Sequence, residues 1–364
     1  MKISVCLIAY NHELFIEQAV QGVLLQHTNF DYEIVVGEDC STDRTLEILL
    51  QLREQNPDKI RLLTTHQNLG MIQNYIRTLK ACNGEYVALL DGDDYWCAED
   101  KLRKQVDFLD QHPDFAVCFH SVLRVDNNGV QQPKVMWPIQ GKEIFDLSDL
   151  VKFNFIPTCS ALIRRESIKE IPIWAYSLNF LDWLLFILAA EHGKIKFIDE
   201  VMSTYRVHSS GFWSSMDPIN RMESRLQFFE NLDPYLDYKY TNEIQRALKR
   251  LWRKLMDQLF ERAILQGSEK AALAFIQENS TSLKERHSLP PEWKMELLER
   301  VYCHYLIDNY QSGNYPAAWS AWLGLMKCSP ALGRNWGLIL MGMESMANGK
   351  FHPLIKRLKR SQKP

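Results

Sequence analysis

The stretch that most constrains this chain is Glu85-Tyr-Val-Ala-Leu-Leu-Asp91-Gly-Asp93-Asp94-Tyr-Trp96, an apolar run that stops abruptly in three carboxylates. Tyr86 to Leu90 reads as a fully buried strand, so the carboxylates fall at its C-terminal end, where open α/β sheets bind ligands. Three acids this close raise one another's pKa unless a cation lies among them. Hard oxygen donors at this spacing suit Mg²⁺ or Mn²⁺, ions that keep open positions for the phosphate oxygens of a substrate. The other reading of the same residues is a solvated acidic turn. An EF-hand is excluded. That loop needs an oxygen side chain, a Gly and a Glu at places that here hold Tyr95, Trp96 and Leu102.

Upstream, strand and helix patterns alternate. Ile3 to Ala9 is a buried strand by composition, followed by Tyr10-Asn11-His12 and a helix expected from Glu13 to Gln26. Tyr32 to Val36 is a second strand, Gly37 to Cys40 its loop, and Ser41-Thr42-Asp43 the expected cap of a helix running to Gln55, because oxygen side chains satisfy orphan N–H groups there. Ile60 to Thr64 is a third strand, and Asn68-Leu-Gly70 turns into a helix that ends near Gly84. Strands alternating with helices predict an α/β fold with a doubly wound, mainly parallel sheet. The sheet has neither a GxGxxG turn after its first strand nor a GxxxxGK[ST] loop, so any phosphate must be held by metal.

Downstream, a helix is expected from Glu99 to Gln111, and strands over Phe115 to Val125 and Thr158 to Arg164. Phe180 to Ala190 is apolar apart from Asp182, a carboxylate at the mouth of a buried helix that serves either as its N-cap or as a catalytic group. Tyr205-Arg206-Val-His208-Ser-Ser-Gly211 places a cation and an imidazole in a small-residue loop, which is structural or catalytic. From Asp217 no strand pattern appears, and segments such as Tyr240 to Gln266, Glu292 to Ser312 and Ala317 to Lys327 read as helices. The expected division is therefore an α/β domain over 1–215 and an all-α region over 216–364.

A chain of 364 residues exceeds one ordinary core, and a net charge of −3 does not call for nucleic acid as a partner. The eight cysteines never approach CxxC spacing, which favours small buried hydrophobes in a reducing cytoplasm. No signal peptide is expected after Met1-Lys2, and no apolar run reaches the roughly 18 residues of a membrane span.

Six segments together resemble family 2 glycosyltransferases, which have the GT-A fold: Ser4 to Asn11, Glu33 to Asp43, Asn68-Leu-Gly70, Gly84-Glu-Tyr86, Asp91 to Trp96 and Tyr205 to His208. The resemblance covers roughly residues 1 to 215 and implies a UDP-sugar or similar nucleoside-diphosphate donor, Mg²⁺ or Mn²⁺, a glycan or lipid-linked acceptor and inversion at the anomeric carbon. By position it implies that Tyr10, Asn11 and Asp39 bind the nucleotide, that Asp91 faces the ribose or a metal-bound water, and that Asp93 is the direct metal ligand. Arg206 and His208 resemble the loop that closes on the diphosphate, the His completing the metal shell. Asp182 matches the acceptor-activating base, although Leu181 stands where many members have an acid; Asp94 receives no role.

Two other readings compete. A nucleotidyltransferase would show a Gly-rich basic loop after the first strand, where this chain has Tyr10-Asn11-His12-Glu13. A non-catalytic scaffold would bind a nucleotide sugar without turning it over, yet has no physical need for several carboxylates in one cleft. The tail from Lys350 to Pro364 carries six Lys or Arg residues and no acid, with Leu354, Ile355 and Leu358 between them. It is either a solvated end or a peripheral anchor at the inner face of the cell membrane.

Overall fold

The structure, a computed structural model, describes residues 1–126, 130, 141–286 and 293–329, together with 338, 341, 342 and 345. The basic tail lies outside the described residues. Four apolar runs form parallel strands: β1 (Ile3–Ala9), β2 (Tyr32–Glu38), β3 (Ile60–Leu63) and β4 (Tyr86–Asp91), side by side in the order β3-β2-β1-β4. Between them run the helices α1 (Ile16–Leu24), α2 (Thr45–Gln55) and α3 (Met71–Ala81). Every residue of β1 and β2 is buried, as strands covered on both faces require. Ile8 stands opposite both Gly37 and Asp91, so β1, β2 and β4 end at one level edge.

The next part of the chain makes the sheet mixed. It comprises β5 (Tyr95–Trp96), α4 (Lys101–Gln111), β6 (Phe115–Val125), β7 (Ile144–Phe145), α5 (Leu147–Leu150), β8 (Leu162–Arg164), α6 (Asp182–Ala190), β9 (Lys194–Arg206) and α7 (Phe212–Ser215). β8 enters antiparallel between β4 and β6; β9 runs parallel to β6 and carries β5 and β7 antiparallel to itself. Beyond these, the described residues are helical: α8 (Pro218–Tyr235), α9 (Thr241–Ile264), α10 (Glu269–Arg286), α11 (Trp293–Ser312) and α12 (Tyr315–Cys328). The chain divides into two compact units, Met1–Asp217 with Gln227–Ala247, and Pro218–Leu226 with the residues from Leu248 on. In the second, α11 and α12 fold back on one another through Gly313, whose φ of 81° suits glycine. No helix among the described residues is long and apolar enough to cross a membrane.

Several expectations need correction. The first helix starts at Ile16 rather than Glu13, because Asn11 turns left-handed at φ 56° and Phe15 N–H closes on the His12 carbonyl. The second begins at Thr45, where Asp43 accepts from the Thr45 N–H at 2.9 Å, while Arg44 occupies the cap with no side-chain bond. Only the second half of Thr158–Arg164 is a strand, since Thr158–Ser160 forms a 3₁₀ turn. Tyr205 and Arg206 end the thirteen-residue β9 rather than sitting in a loop. That strand escaped notice because its exposed stretch at Asp199–Val201, where the register with β6 slips, breaks the apolar pattern. Asp182 is not an N-cap: Leu181 holds that place.

Lys101 is the least expected member of the core. It is 0% exposed, its ammonium lies 4.0 Å from the centre of the Trp96 ring, and it donates to Gln105 Oε1 at 2.8 Å. Gln105 Nε2 in turn donates to the carbonyls of Cys118 and Ser160, both at 2.9 Å, tying α4 to β6 and to the turn before β8. Burial pushes the Lys101 ammonium down from its ordinary 10.5 to about 7. The folded chain therefore releases this proton near pH 7 while the unfolded chain keeps it to about 10.5. Stability should rise with pH across that window, by an amount on the order of 4 to 5 kcal/mol. Lys101→Met should raise the unfolding free energy at pH 6 and lose that advantage by pH 10, in urea titrations at both values. A difference independent of pH would show that Lys101 is not the titrating group.

Candidate active site

The acidic turn is built from backbone outward. Asp94 N–H donates to the Asp91 carbonyl at 3.0 Å, and Gly92 N–H donates to the Ile8 carbonyl at 2.9 Å, which ties the turn to the end of β1. Gly92 has no room for a side chain: a Cβ would lie 2.6 Å from His12 Nδ1 and 3.0 Å from the Ile8 oxygen. The turn meets the end of β9 through three contacts. The Arg206 backbone N–H donates to Asp94 Oδ1 at 2.8 Å, its guanidinium donates to the Asp93 carbonyl and to Gln18, and Asp93 Oδ2 lies 2.9 Å from His208 Nε2. The guanidinium is sandwiched between the rings of Phe15, 4.9 Å away, and Tyr95, 4.7 Å away. Ser210 Oγ contacts His208 Nδ1 at 2.8 Å and so fixes the imidazole from its far side.

Charge is crowded here. Burial first, then the charges of Asp93 and Asp182, hold the Asp91 carboxyl well above the usual range, and burial with Asp93 and Asp91 does the same to Asp94. Burial alone would also raise Asp93, but the His208 contact and the imidazole of His12 bring it below its ordinary value. Asp94 Oδ2 and His12 Nδ1 are buried with no hydrogen-bond partner. Excess buried negative charge, orphaned polar atoms and a carboxylate beside an imidazole make a donor set that suits a hard divalent cation. Among the described residues no group of three or more His, Cys, Asp or Glu side chains is arranged to hold a metal ion. Mg²⁺ commonly takes only one or two carboxylates and completes its shell with substrate phosphates and water, so the residues present fit.

The other expected residues lie on the neighbouring loops. Asp39 follows β2, and its two carboxylate oxygens accept from the Leu69 and Gly70 N–H groups at 2.9 Å each, closing the loop before α3. Asn11 accepts from Thr42 N–H at 2.8 Å and donates its own N–H to Ser41 Oγ at 3.0 Å, joining the loops after β1 and β2. Tyr10 beside it is exposed. Asp182 begins α6, and its Oδ2 accepts from Asn154 Nδ2 at 3.0 Å and Thr158 Oγ1 at 3.3 Å. The helix is anchored behind it by Trp183, stacked on Phe228 at 4.8 Å.

Thus Asp91, Asp93, Asp94, Arg206 and His208 meet at one edge, with Asp182 near enough to act on the charge of Asp91. His12, Gln18, Asn154 and Thr158 were not foreseen. His12 stands in a segment already quoted, and its place after the first strand was the available signal. Gln18 and Thr158 lie in segments read only as helix and strand, and Asn154 lies where no local pattern marks it.

A mixed, mainly parallel α/β sheet with carboxylates at the end of a parallel strand, followed by helices, is an arrangement of the GT-A type. Residues 4–172 match the profile of the family described as Glycosyl transferase family 2. The chain is 31% identical over 243 residues to an uncharacterized glycosyltransferase of Nostoc sp., covering 62% of this chain and 71% of that protein. The chain belongs to glycosyl transferase family 2. It is also 36% identical over 213 residues to the uncharacterized protein Rv1520 of Mycobacterium tuberculosis, covering 58% of this chain and 60% of the relative's length. Among solved structures, TarS of Staphylococcus aureus in complex with UDP-GlcNAc superposes with a TM-score of 0.51 at 20% identity, over 99% of this chain and 92% of that one. A mannosyltransferase of Pyrobaculum calidifontis in complex with GDP-Man and Mn²⁺ gives 0.51 at 17% identity, over 95% and 87%. At these identities the likeness is one of fold.

Gly92→Ala should lower the unfolding free energy by about 1 to 3 kcal/mol, because the methyl group meets an imidazole and a backbone carbonyl at once. An unchanged urea midpoint would mean that the turn does not pack on His12 as described.

Proposed function

We propose that the chain is a metal-dependent, inverting glycosyltransferase. It moves a sugar from a nucleoside-diphosphate donor, a UDP-sugar foremost, to a hydroxyl of a glycan or lipid-linked acceptor during surface polysaccharide assembly. The observation that carries this reading is the joint between the two strand ends, which sets Asp91, Asp93, Asp94, Arg206 and His208 around one spot at the ligand-binding edge. TarS with its UDP-GlcNAc and the mannosyltransferase with its Mn²⁺ support the choice of donor class and ion.

Tyr10, Asn11 and Asp39 take the nucleotide end. Asp39 already holds the loop before α3, so the base is recognised beside an edge whose backbone is fixed. Asp91 faces the ribose. Asp93 and His208 would hold Mg²⁺ or Mn²⁺, which when bound supplies positive charge against the departing diphosphate. Arg206 keeps the turn in place through the Asp93 carbonyl and adds a cation beside the same phosphates. Asp182, oriented by Asn154 and Thr158, takes the proton from the acceptor hydroxyl, and attack from the side opposite the leaving group gives inversion. The enzyme acts in the cytoplasm beside a membrane-borne acceptor.

Asp93→Asn should weaken Mn²⁺-dependent nucleotide binding at least about a hundredfold with little change in melting temperature, since it removes a charge and no core volume. Calorimetry with UDP and MnCl₂ reads this; retained turnover in metal-free buffer would end the metal reading. Asp182→Asn should leave nucleotide affinity within about twofold and reduce transfer by ~10² to 10⁴. Loss of nucleotide binding in that variant would instead assign Asp182 a structural task at the start of α6.

A further inference from the structure

We propose that Lys101 is a positioning residue for the donor site, acting through the Trp96 indole to hold the Asp91–Asp94 turn. The inference rests on the reading of that turn as the diphosphate site. Trp96 is fixed from every side. Its Nε1 donates to the Cys159 carbonyl at 2.9 Å, and its backbone pairs with Ser203 of β9. On the opposite side α1 passes so close that a Cβ on Gly22 would lie 2.7 Å from the Trp96 carbonyl oxygen. The face of the indole rests on the Lys101 ammonium at 4.0 Å. One residue upstream, the Tyr95 ring lies on the Arg206 guanidinium, and one further, Asp94 receives the Arg206 N–H. A shift of the indole therefore moves the residues that join the acidic turn to β9.

The fold alone does not ask for a cation at this place. Among the described residues no carboxylate pairs with Lys101, and its hydrogen bond goes to the neutral Gln105. It shares its layer with His120, also 0% exposed, whose Nε2 has no partner and whose charged form the lysine disfavours. A fully buried cation beside a second basic group costs stability, and a methionine of equal reach would fill the same space without that cost. What the ammonium supplies and methionine does not is attraction to the ring face, which fixes the tilt of the indole. Departures from local stability rules of this kind belong to sites whose geometry matters.

Lys101→Met separates the two roles, because its effects on stability and on binding run in opposite directions. The full chain would be titrated calorimetrically at pH 6, where Lys101 carries its charge, with UDP, GDP, CDP and dTDP in MnCl₂, and the tightest taken forward. A wild-type chain that binds none of the four defeats the donor-site reading itself and is thereby distinguished from failure here. The variant should melt at or above the wild-type temperature and bind the chosen nucleotide about tenfold more weakly. Trp96→Phe should also weaken binding, and the double variant should be no worse than the more affected single variant, since both act through one ring. Unchanged affinity in Lys101→Met overturns the inference. So does a lower melting temperature accompanied by weaker binding, and so do strictly additive effects in the double variant.

Discussion

The candidate site depends on one joint: the hydrogen bond from the Arg206 backbone N–H to the Asp94 carboxyl group. It spans 112 positions of sequence at 2.8 Å and is buried, where a hydrogen bond is electrostatically stronger than it is in water. Asp94 is thereby turned away from solvent and toward β9, and Asp93 next to it comes to His208. The guanidinium of the same arginine closes the turn from above on the Asp93 carbonyl. With that joint cut, the two strand ends would keep their ladders, and the carboxylates would have no common geometry.

The two ends of the site are held by different physics. Around the loops after β1 and β2, side chains satisfy backbone groups in both directions: Asp43 accepts from Glu13 N–H and Glu13 accepts from Arg44 N–H, each at 3.0 Å, while Glu38 accepts from Ser41 N–H at 2.6 Å. Such bonds fix loop shape and leave little to rearrange when a base arrives. At the acidic turn the bonds are few and the charges many, and among the described residues Asp94 Oδ2 meets no nitrogen or oxygen partner. An arrangement that is tight at one end and electrostatically unsatisfied at the other suits a ligand whose base is recognised by shape and whose phosphates bring a cation with them.

The chain's regular half was legible because strands buried on both faces are written as unbroken apolar runs, and their loops fall at predictable ends. Tyr86 to Leu90 announced both the strand and the site. β9 was not legible, since Asp199 and Glu200 interrupt it and its partner β6 lies some eighty residues away in sequence. Asp182 was visible as an odd acid before an apolar helix, but the side chains that orient it come from Asn154 and Thr158, in a stretch with no periodicity. Lys101 falls inside the helix expected over Glu99 to Gln111 and received no reading of its own. Nothing local distinguishes a lysine that faces water from one that rests on a tryptophan.

The position of β9 in the sheet has a temporal meaning. Strand β1 pairs with β2 and β2 with β3, each the next strand of the chain, connections of the kind that form early and locally, and β4 returns to β1. β9 is the last strand made, yet it lies between β6 and β5, and it carries Arg206 and His208 to a turn built more than a hundred residues before. During synthesis the acidic turn must therefore exist for some time without its clasp, exposing a row of repelling carboxylates at the edge of a half-finished sheet. The arrival of residues 194–206 completes the sheet and clasps that edge, so the moment at which the sheet closes is also the moment at which the candidate site comes into being.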